Sequence, residues 1–365
     1  MKVAILHEML IKKGGAEKVV EKMMRMFPDA PIYTLIYDEK KIGDIFPKEK
    51  VRVASLTQKI YNLRKNQRYC LPFMAMGVES LDFSEYDVVL CSSSGFAHGA
   101  ITKPETKFIV YYHSPARYLW DWTNEYKKDI GFDKGIKGYI LNKLFLKLRQ
   151  WDFIASKRVD ISLANSTNVQ NRIRKYYKKD SSLVYPPVET TRFMPGEKGD
   201  YYIIISALTE FKKIEVAIKA FNEMSDKKLK IVGGGNYSET LKSMATSANI
   251  EFLGAKYGQE LVNLLQNSKG LIFPGEEDFG IVPIEAQASG KGVFAYRGGG
   301  LLETVIEGVT GEFFDDKNGS DFVPKFEQFD FNIDNDVYNE EEVRNNALRF
   351  SEEEFEKKIM EAVYN

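Results

Sequence analysis

The sequence contains few of the residues that would indicate a secreted, metal-bound or membrane-spanning protein. Its 365 residues include only two cysteines, Cys70 and Cys91, and their spacing fits neither a disulfide framework nor a metal site. No run reaches the roughly 18 apolar residues that a membrane span needs. Walker and Gly-x-Ser-x-Gly patterns are also missing. We therefore expect a globular cytoplasmic protein with reduced thiols.

Positive and negative charges are divided unevenly between the two halves of the chain. Residues 1–178 hold 31 Lys and Arg against 19 Asp and Glu, a balance of +12. Residues 179–365 hold 20 against 33, a balance of −13. The densest basic segment, 48–68, has seven Lys and Arg and a single Glu. A basic half of this kind favours contact with an anionic partner, although drift in solvated surface charge would give the same pattern.

The chain length predicts two domains, and the pattern of apolar runs predicts the same fold class for both. Short apolar runs alternate with segments of helical periodicity, which is typical of parallel α/β sheets. A segment rich in proline and glycine, Ser182–Asp200, indicates the boundary between the domains. Asp315–Glu342 is acidic and lacks periodicity, so we expect irregular structure there. A last helix is expected over Glu352–Val363, after Ser351 as its N-cap.

One stretch, Phe273–Glu303, combines two carboxylates with two glycine-rich loops. Apolar runs lead into its first loop and out of its helix, so it reads as strand, loop, helix, strand, loop, helix. Ligands of parallel sheets bind beyond the carboxyl ends of the strands. Glu277 and Glu285 are therefore expected to face a ligand.

The first half supplies further candidates at strand ends. Gly14 and Gly15 follow the first strand and precede a helix, a setting in which backbone N–H groups can approach an anion. His113 stands at the end of the apolar run IVYY, with Arg117 four residues later. A histidine at that place favours a functional role over a structural one.

Several other patterns carry weaker predictions. Lys212 and Lys213 follow the first strand of the second half, where a lysine can reach a phosphate, although each could equally be a solvated charge. His7 and Glu8 start a zinc-protease pattern that Ile11 breaks. The triplet Asp334–Asp336 is of a type that holds a divalent ion, but it lies in the acidic tail, so we expect no metal.

These motifs together resemble the retaining glycosyltransferases of family 4, over nearly the whole chain. Glu277 and Glu285 form the E-x7-E signature of that family within EDFGIVPIE, and a GGG-x-x-E segment follows. ISALTEFKKIEVAIKAF is similar to the phosphate-binding strand and helix of the family, and YHSPARYLWD to its catalytic histidine segment. The branch with bacterial O-antigen and capsule mannosyltransferases has the most similar pattern.

The resemblance implies a role for each matched residue. Glu277 would contact the donor sugar, Glu285 the nucleotide ribose, and Lys212 the diphosphate, while His113 would lie beside the donor sugar as the second catalytic group. Arg117 is a candidate on the acceptor side. The remaining donor-binding candidates lie in loops or next to the lysine: Gly14, Gly15, Lys213, Phe279, Gly280 and Ile281. Many members carry an arginine where this chain has Ala207, and Lys213 is the candidate to replace it.

The resemblance also implies the GT-B fold. This fold has two facing Rossmann-like domains, an interdomain cleft and a C-terminal helix that crosses back to the first domain. We expect an acceptor-binding domain over 1–190 joined by residues 350–365, and a donor-binding domain over 199–349.

The implied activity is metal-independent transfer of a hexose to a glycan or lipid-linked acceptor in surface polysaccharide synthesis. GDP-mannose is the first choice of donor, and a UDP-sugar is the alternative. A GT-B sugar-nucleotide 2-epimerase and an inactive sugar-nucleotide-binding module are alternatives of other classes. The basic first half is expected to approach an anionic membrane surface at the cytoplasmic face. A nucleic-acid partner is not expected, because it would leave the acidic glutamate loop unexplained.

Overall fold

The computed structural model describes all 365 residues and divides the chain into two compact units. The first unit contains residues 1–187 and the C-terminal residues 355–365. The second contains residues 188–354. The division lies inside the proline- and glycine-rich segment that the sequence indicates as a boundary. No helix of the chain is both long and apolar enough to span a membrane.

The first unit is built on a seven-stranded parallel sheet in the order β3-β2-β1-β4-β5-β6-β7. Its strands are β1 (Val3–Leu10), β2 (Ile32–Tyr37), β3 (Val51–Val53), β4 (Val88–Ser93), β5 (Lys107–Tyr112), β6 (Ile161–Ala164) and β7 (Ser182–Leu183). Its helices before the boundary are α1 (Gly15–Met26), α2 (Glu39–Ile42), α3 (Ser55–Arg64), α4 (Met74–Glu79), α5 (Thr123–Asp129), α6 (Gly135–Ala155) and α7 (Thr167–Tyr177).

The second unit contains a six-stranded parallel sheet in the order β10-β9-β8-β11-β12-β13. Its strands are β8 (Tyr201–Ile205), β9 (Lys228–Val232), β10 (Ile250–Gly254), β11 (Gly270–Phe273), β12 (Val293–Tyr296) and β13 (Gly311–Phe314). Its helices are α8 (Ile214–Glu223), α9 (Ser238–Met244), α10 (Gly258–Gln266), α11 (Ile281–Ala288), α12 (Leu301–Thr304), α13 (Phe322–Asp334) and α14 (Glu340–Leu348).

The central strands of both sheets are buried on both faces, as expected for parallel sheets covered by helices. Every residue of β4 and of β8 is buried. Polar chemistry is therefore concentrated where these strands end.

The expectation of irregular structure over Asp315–Glu342 is wrong, because α13 and the start of α14 occupy most of this segment. The buried residues Phe322, Phe326 and Phe329 recur at helical spacing, and their rings contact Phe294 of β12. Polar residues of both signs, Lys325 and Glu327, lie between these apolar positions and hid the period. Packing of the aromatic face stabilises the helix despite its charge.

The last helix, α15 (Glu352–Tyr364), packs on the first unit. Phe355, Ile359 and Val363 are buried along one side of it, four residues apart. The ring of Phe355 lies 5.6 Å from that of Tyr111, and Lys107 donates a hydrogen bond of 3.0 Å to the carbonyl of Val363. The chain therefore leaves the second unit and completes the core of the first.

We predict that Ile359→Ala lowers the free energy of unfolding of the first unit by about 2–5 kcal/mol, since a fully buried side chain is replaced by a cavity. All three tryptophans, Trp120, Trp122 and Trp151, belong to the first unit, so urea unfolding followed by tryptophan fluorescence reports that unit. The exposed Lys357→Ala on the same helix is the control. Equal midpoints for the two variants would contradict the packing of α15.

Candidate functional site

In the second unit, Lys212 and Glu277 form an ion pair where two neighbouring strands end. Lys212 closes a short 3-10 turn, Glu210–Lys212, beyond β8, and Glu277 lies in the loop after β11. Strands β8 and β11 are adjacent and parallel, so their following loops meet. A Cβ at Gly275 would lie 2.8 Å from the carbonyl oxygen of Lys212, which shows how closely the two loops pack.

The loop after β12 packs against the Glu277 loop through its glycines. Gly300 donates a backbone hydrogen bond of 2.8 Å to the carbonyl of Glu277. Gly299 has φ of +60°, and a Cβ there would lie 2.1 Å from the same carbonyl oxygen. The glycines of Tyr296-Arg-Gly-Gly-Gly are thus required for the two loops to approach.

Helix α11 begins directly after the Glu277 loop and presents its first N–H groups there. Its N-cap, Gly280, has φ of +90° and provides no side chain to cap the helix. Uncapped N–H groups and the helix dipole make such a start favourable for an anion. Ile281 is the first residue of the helix, and Glu285, one turn later, is buried. Phe279, which precedes the N-cap Gly280, is buried as well.

Lys213 and Lys212 differ although they are neighbours. Lys213 is the N-cap of α8 with φ of +55°, and its ammonium lies 3.4 Å from the carboxylate of Glu215. The structure therefore brings Lys212, and not Lys213, to Glu277. The acidic triplet lies elsewhere, at the end of α13, where Asp334 pairs with Lys269 at 2.8 Å and with Lys198 at 3.5 Å.

In the first unit, His113 follows β5 and takes part in a hydrogen-bonded chain with β4 and β1. The hydroxyl oxygen of Ser92 lies 2.7 Å from Nε2 of His113 and 3.0 Å from Nδ1 of His7. Desolvation, with a smaller effect of the nearby His7, lowers the pKa of His113 to about 3. The imidazole is therefore neutral at physiological pH and can accept or donate a hydrogen bond without carrying charge.

A cavity of about 430 Å³ opens beside the glycine loop of the first unit. Gly14 and Gly15 line it as they lead into α1, and a Cβ at Gly14 would lie 2.7 Å from the carboxylate of Glu17. The lining also contains acidic, basic and aromatic side chains, among them Glu8, Glu17, Lys12, Arg68, Phe96, Tyr118 and Tyr126. Arg117 is not in the lining, and it lies 3.6 Å from Asp121.

Two buried carboxylates at this cavity were missed from the sequence. Glu8 accepts backbone hydrogen bonds from Ser94, at 2.8 Å, and from Phe96. Burial raises the pKa of Glu8, and these backbone bonds oppose the rise. Glu17 is 5% exposed, its Oε2 has no hydrogen-bond partner, and its Oε1 lies 3.9 Å from His7. Their positions at a strand end and in the first turn of a helix were the available signals.

Comparisons with known proteins agree with this architecture. The model described as "Glycosyltransferase Family 4" matches residues 13–192, and "Glycosyl transferases group 1" matches residues 189–332. An uncharacterised glycosyltransferase of Methanocaldococcus jannaschii is 27% identical over 60% of this chain and 61% of its own length. The alpha-1,3/1,6-mannosyltransferase ALG2 of Kluyveromyces lactis is 27% identical over 84% of this chain and 71% of its own. The chain spans 44% to 61% of the length of the first curated relatives that it matches.

Solved structures support the fold. The structure of Anabaena HepE in complex with UDP matches 100% of this chain and 99% of its own, with a TM-score of 0.74 at 14% identity. The fold is therefore GT-B. Together the two family models span residues 13–332, so the chain is similar to Glycosyltransferase Family 4 in its first part and to Glycosyl transferases group 1 in its second.

We predict that the ring proton resonances of His113 do not titrate between about pH 5 and 8, because its imidazole stays neutral over that range. With only three histidines in the chain, His113→Asn assigns the resonance in a proton NMR spectrum. A midpoint near the ordinary value of about 6.5 would show that the ring is solvated and that the described environment is incorrect.

Proposed function

We propose that this chain transfers a hexose from a nucleoside-diphosphate sugar to a glycan or lipid-linked acceptor in surface polysaccharide synthesis. The transfer is metal-independent and retains the anomeric configuration. The observation that carries the proposal is the ion pair of Lys212 with Glu277 beside the uncapped start of α11. A cation, a carboxylate and a helix start without a side-chain cap, next to one another, suit a diphosphate joined to a polyhydroxylated ring.

Donor binding would replace the ion pair of Lys212 and Glu277 by contacts of each side chain with the donor. Lys212 turns its ammonium from Glu277 to the diphosphate, and Glu277 then accepts hydrogen bonds from sugar hydroxyls. Negative charge grows on the leaving diphosphate as the glycosidic bond breaks. Lys212 and the first N–H groups of α11 stabilise this charge, so a divalent ion is not required. Glu285 accepts hydrogen bonds from the two ribose hydroxyls.

His113 acts in this proposal as a neutral hydrogen-bonding group beside the donor sugar. A neutral imidazole avoids placing a positive charge next to an anomeric carbon that becomes cationic in the transition state. The acceptor hydroxyl enters on the face that the diphosphate leaves, which preserves the anomeric configuration. Glu277 positions the sugar and need not form a covalent intermediate.

Mannose carried by GDP is the proposed donor. The resemblance to the bacterial mannosyltransferase branch supports mannose, and so does the similarity to a yeast mannosyltransferase. A UDP-sugar is the competing donor, because the similar HepE structure contains UDP. Ala207, in place of the arginine common in the family, leaves Lys212 with a larger share of diphosphate binding.

The acceptor is proposed to bind in the cavity of the first unit. Glu8 and Glu17 suit sugar hydroxyls, Tyr118 and Phe96 suit the apolar faces of a sugar ring, and Arg68 suits a phosphate. A saccharide joined to a lipid by a phosphate or diphosphate would satisfy all three kinds of group.

The basic segment 48–68 supports the proposal that the protein acts at the cytoplasmic face of an anionic membrane. Leu63 at its end is 78% exposed, and the nearby Tyr69 is 56% exposed. Together these charged and apolar side chains fit a surface that approaches lipid head groups.

We predict that GDP-mannose raises the melting temperature of the protein in a thermal-shift screen that also contains UDP, ADP and dTDP sugars. Lys212→Ala should weaken donor binding on the order of tenfold to a hundredfold, because a charge-assisted contact is lost. Lys219→Ala, an exposed lysine of α8, is the matched control. If only a UDP-sugar stabilised the protein, the donor would be that UDP-sugar and not GDP-mannose. If no sugar nucleotide stabilised it, the proposed function would be rejected.

We predict that Glu17→Gln raises the KM for the acceptor more than the KM for the donor, because Glu17 lines the first-unit cavity whereas Lys212 and Glu277 belong to the second unit. Octyl glycosides serve as acceptor probes, and radiolabelled transfer measures both constants. Glu21→Gln, on the same helix but paired with Arg25, is the control. A change in the KM for the donor alone would show that the cavity does not bind the acceptor. Product formed without any acceptor would favour the epimerase, and no product at all would favour the inactive binding module.

A further inference from the structure

Helix α6 is apolar on two opposite sides, which is unusual for a helix at the surface of a globular unit. Its inner side is buried through residues at helical spacing: Gly138, Leu141, Phe145, Leu148, Asp152 and Ala155. On that side, Phe145 lies 6.2 Å from the rings of Tyr118 and Tyr126, which line the cavity. The core of the first unit therefore accounts for only one of the two sides.

The outer side of α6, defined here as its exposed residues, carries a row of large apolar side chains. These are Ile136, Tyr139, Ile140, Leu146, Phe153 and Ile154. Ile136 is 79% exposed and Ile140 is 61% exposed, so these are not side chains half-covered by their neighbours. Single exposed apolar residues are ordinary, but a contiguous row on one helix indicates a surface that binds another apolar surface.

The charges along this outer side are mainly positive. Six basic residues lie between positions 134 and 157: Lys134, Lys137, Lys143, Lys147, Arg149 and Lys157. The single acid of this range, Asp152, is buried and accepts a hydrogen bond of 2.7 Å from Trp120. Lys137, Lys143 and Lys147 are the exposed basic residues within the helix, and the exposed Asp133 lies just before its start. The outer side itself therefore combines apolar bulk with positive charge.

Lysines and aromatic rings are also paired along the helix. The ammonium of Lys143 lies 4.6 Å from the ring centre of Tyr139, and that of Lys157 lies 4.6 Å from the ring centre of Phe153. Aromatic rings at the level of lipid head groups, with lysine stems reaching past them to the charged surface, are typical of helices that lie in a membrane interface.

We propose that the outer side of α6 docks on an anionic lipid bilayer, with the helix lying along the surface. At 21 residues, the helix would offer a contact about 31 Å long. Its apolar side chains enter the boundary between head groups and acyl chains, and its lysines meet the anionic head groups. This docking deepens the membrane contact of the proposed function, which rests there on segment 48–68, and assigns the apolar anchor to a different helix.

A second copy of the chain fits this surface less well than a bilayer does. A symmetric dimer through α6 would place the lysines of both copies in one interface, where Asp133 at the helix start is the one exposed carboxylate nearby. Like charges at short range oppose such a contact. An anionic bilayer satisfies the apolar row and the basic residues together.

The test is cosedimentation of the full chain with phosphatidylcholine vesicles, with and without phosphatidylglycerol. We expect binding to the anionic vesicles that weakens as salt increases. Ile140→Ser/Ile154→Ser should weaken this binding about tenfold or more, because two exposed apolar anchors are removed. Tyr257→Ser/Phe331→Ser removes two exposed rings of the second unit and should bind vesicles as the wild type does.

Thermal stabilisation by GDP-mannose, measured on the same variants, separates this inference from the proposed function. It should be equal in both variants and the wild type, because the serines lie outside the donor loops. Equal vesicle binding by the α6 variant and the wild type would overturn the inference, as would absence of wild-type binding. Loss of self-association in light scattering without any loss of vesicle binding would instead assign the outer side to a second copy.

Discussion

The geometry of parallel sheets determines where this protein can carry chemistry. Strands buried on both faces leave no room for polar side chains along their length, so functional groups lie in the loops that follow them. Lys212 and Glu277 meet because β8 and β11 are neighbours in the sheet. His113, Ser92 and His7 meet for the same reason across β5, β4 and β1. Sheet order therefore decides which residues can act together.

The two units provide different electrostatic environments. In the second unit, the opposite charges of Lys212 and Glu277 neutralise each other. A ligand with both an anionic part and hydroxyl groups has a partner for each of the two side chains. In the first unit, burial keeps His113 neutral, and two carboxylates line a cavity that has basic residues in its wall. The proposed donor, a sugar nucleotide, suits the environment of the second unit, and the proposed acceptor, a phosphate-linked saccharide, suits that of the first.

The sequence predicted the GT-B fold and the groups that follow buried strands, because apolar runs and glycines mark those places directly. It kept Lys213 as a donor-binding candidate beside Lys212, whereas the ammonium of Lys213, at a left-handed turn, lies near Glu215 and not near Glu277. Glu8 and Glu17 were missed because their burial depends on loops distant in the chain. The helix α13 was missed because charged residues of both signs lie between its phenylalanines. Pairings made by tertiary contact were beyond what local patterns could indicate.

The central claim is that Lys212 and Glu277 exchange their ion pair for contacts with a sugar nucleotide. A crystal structure of the protein with GDP-mannose tests this most directly. The account predicts the diphosphate within hydrogen-bond distance of Lys212 and of the first N–H groups of α11, with sugar hydroxyls on Glu277. A nucleotide bound elsewhere, with the pair of Lys212 and Glu277 intact, would contradict it.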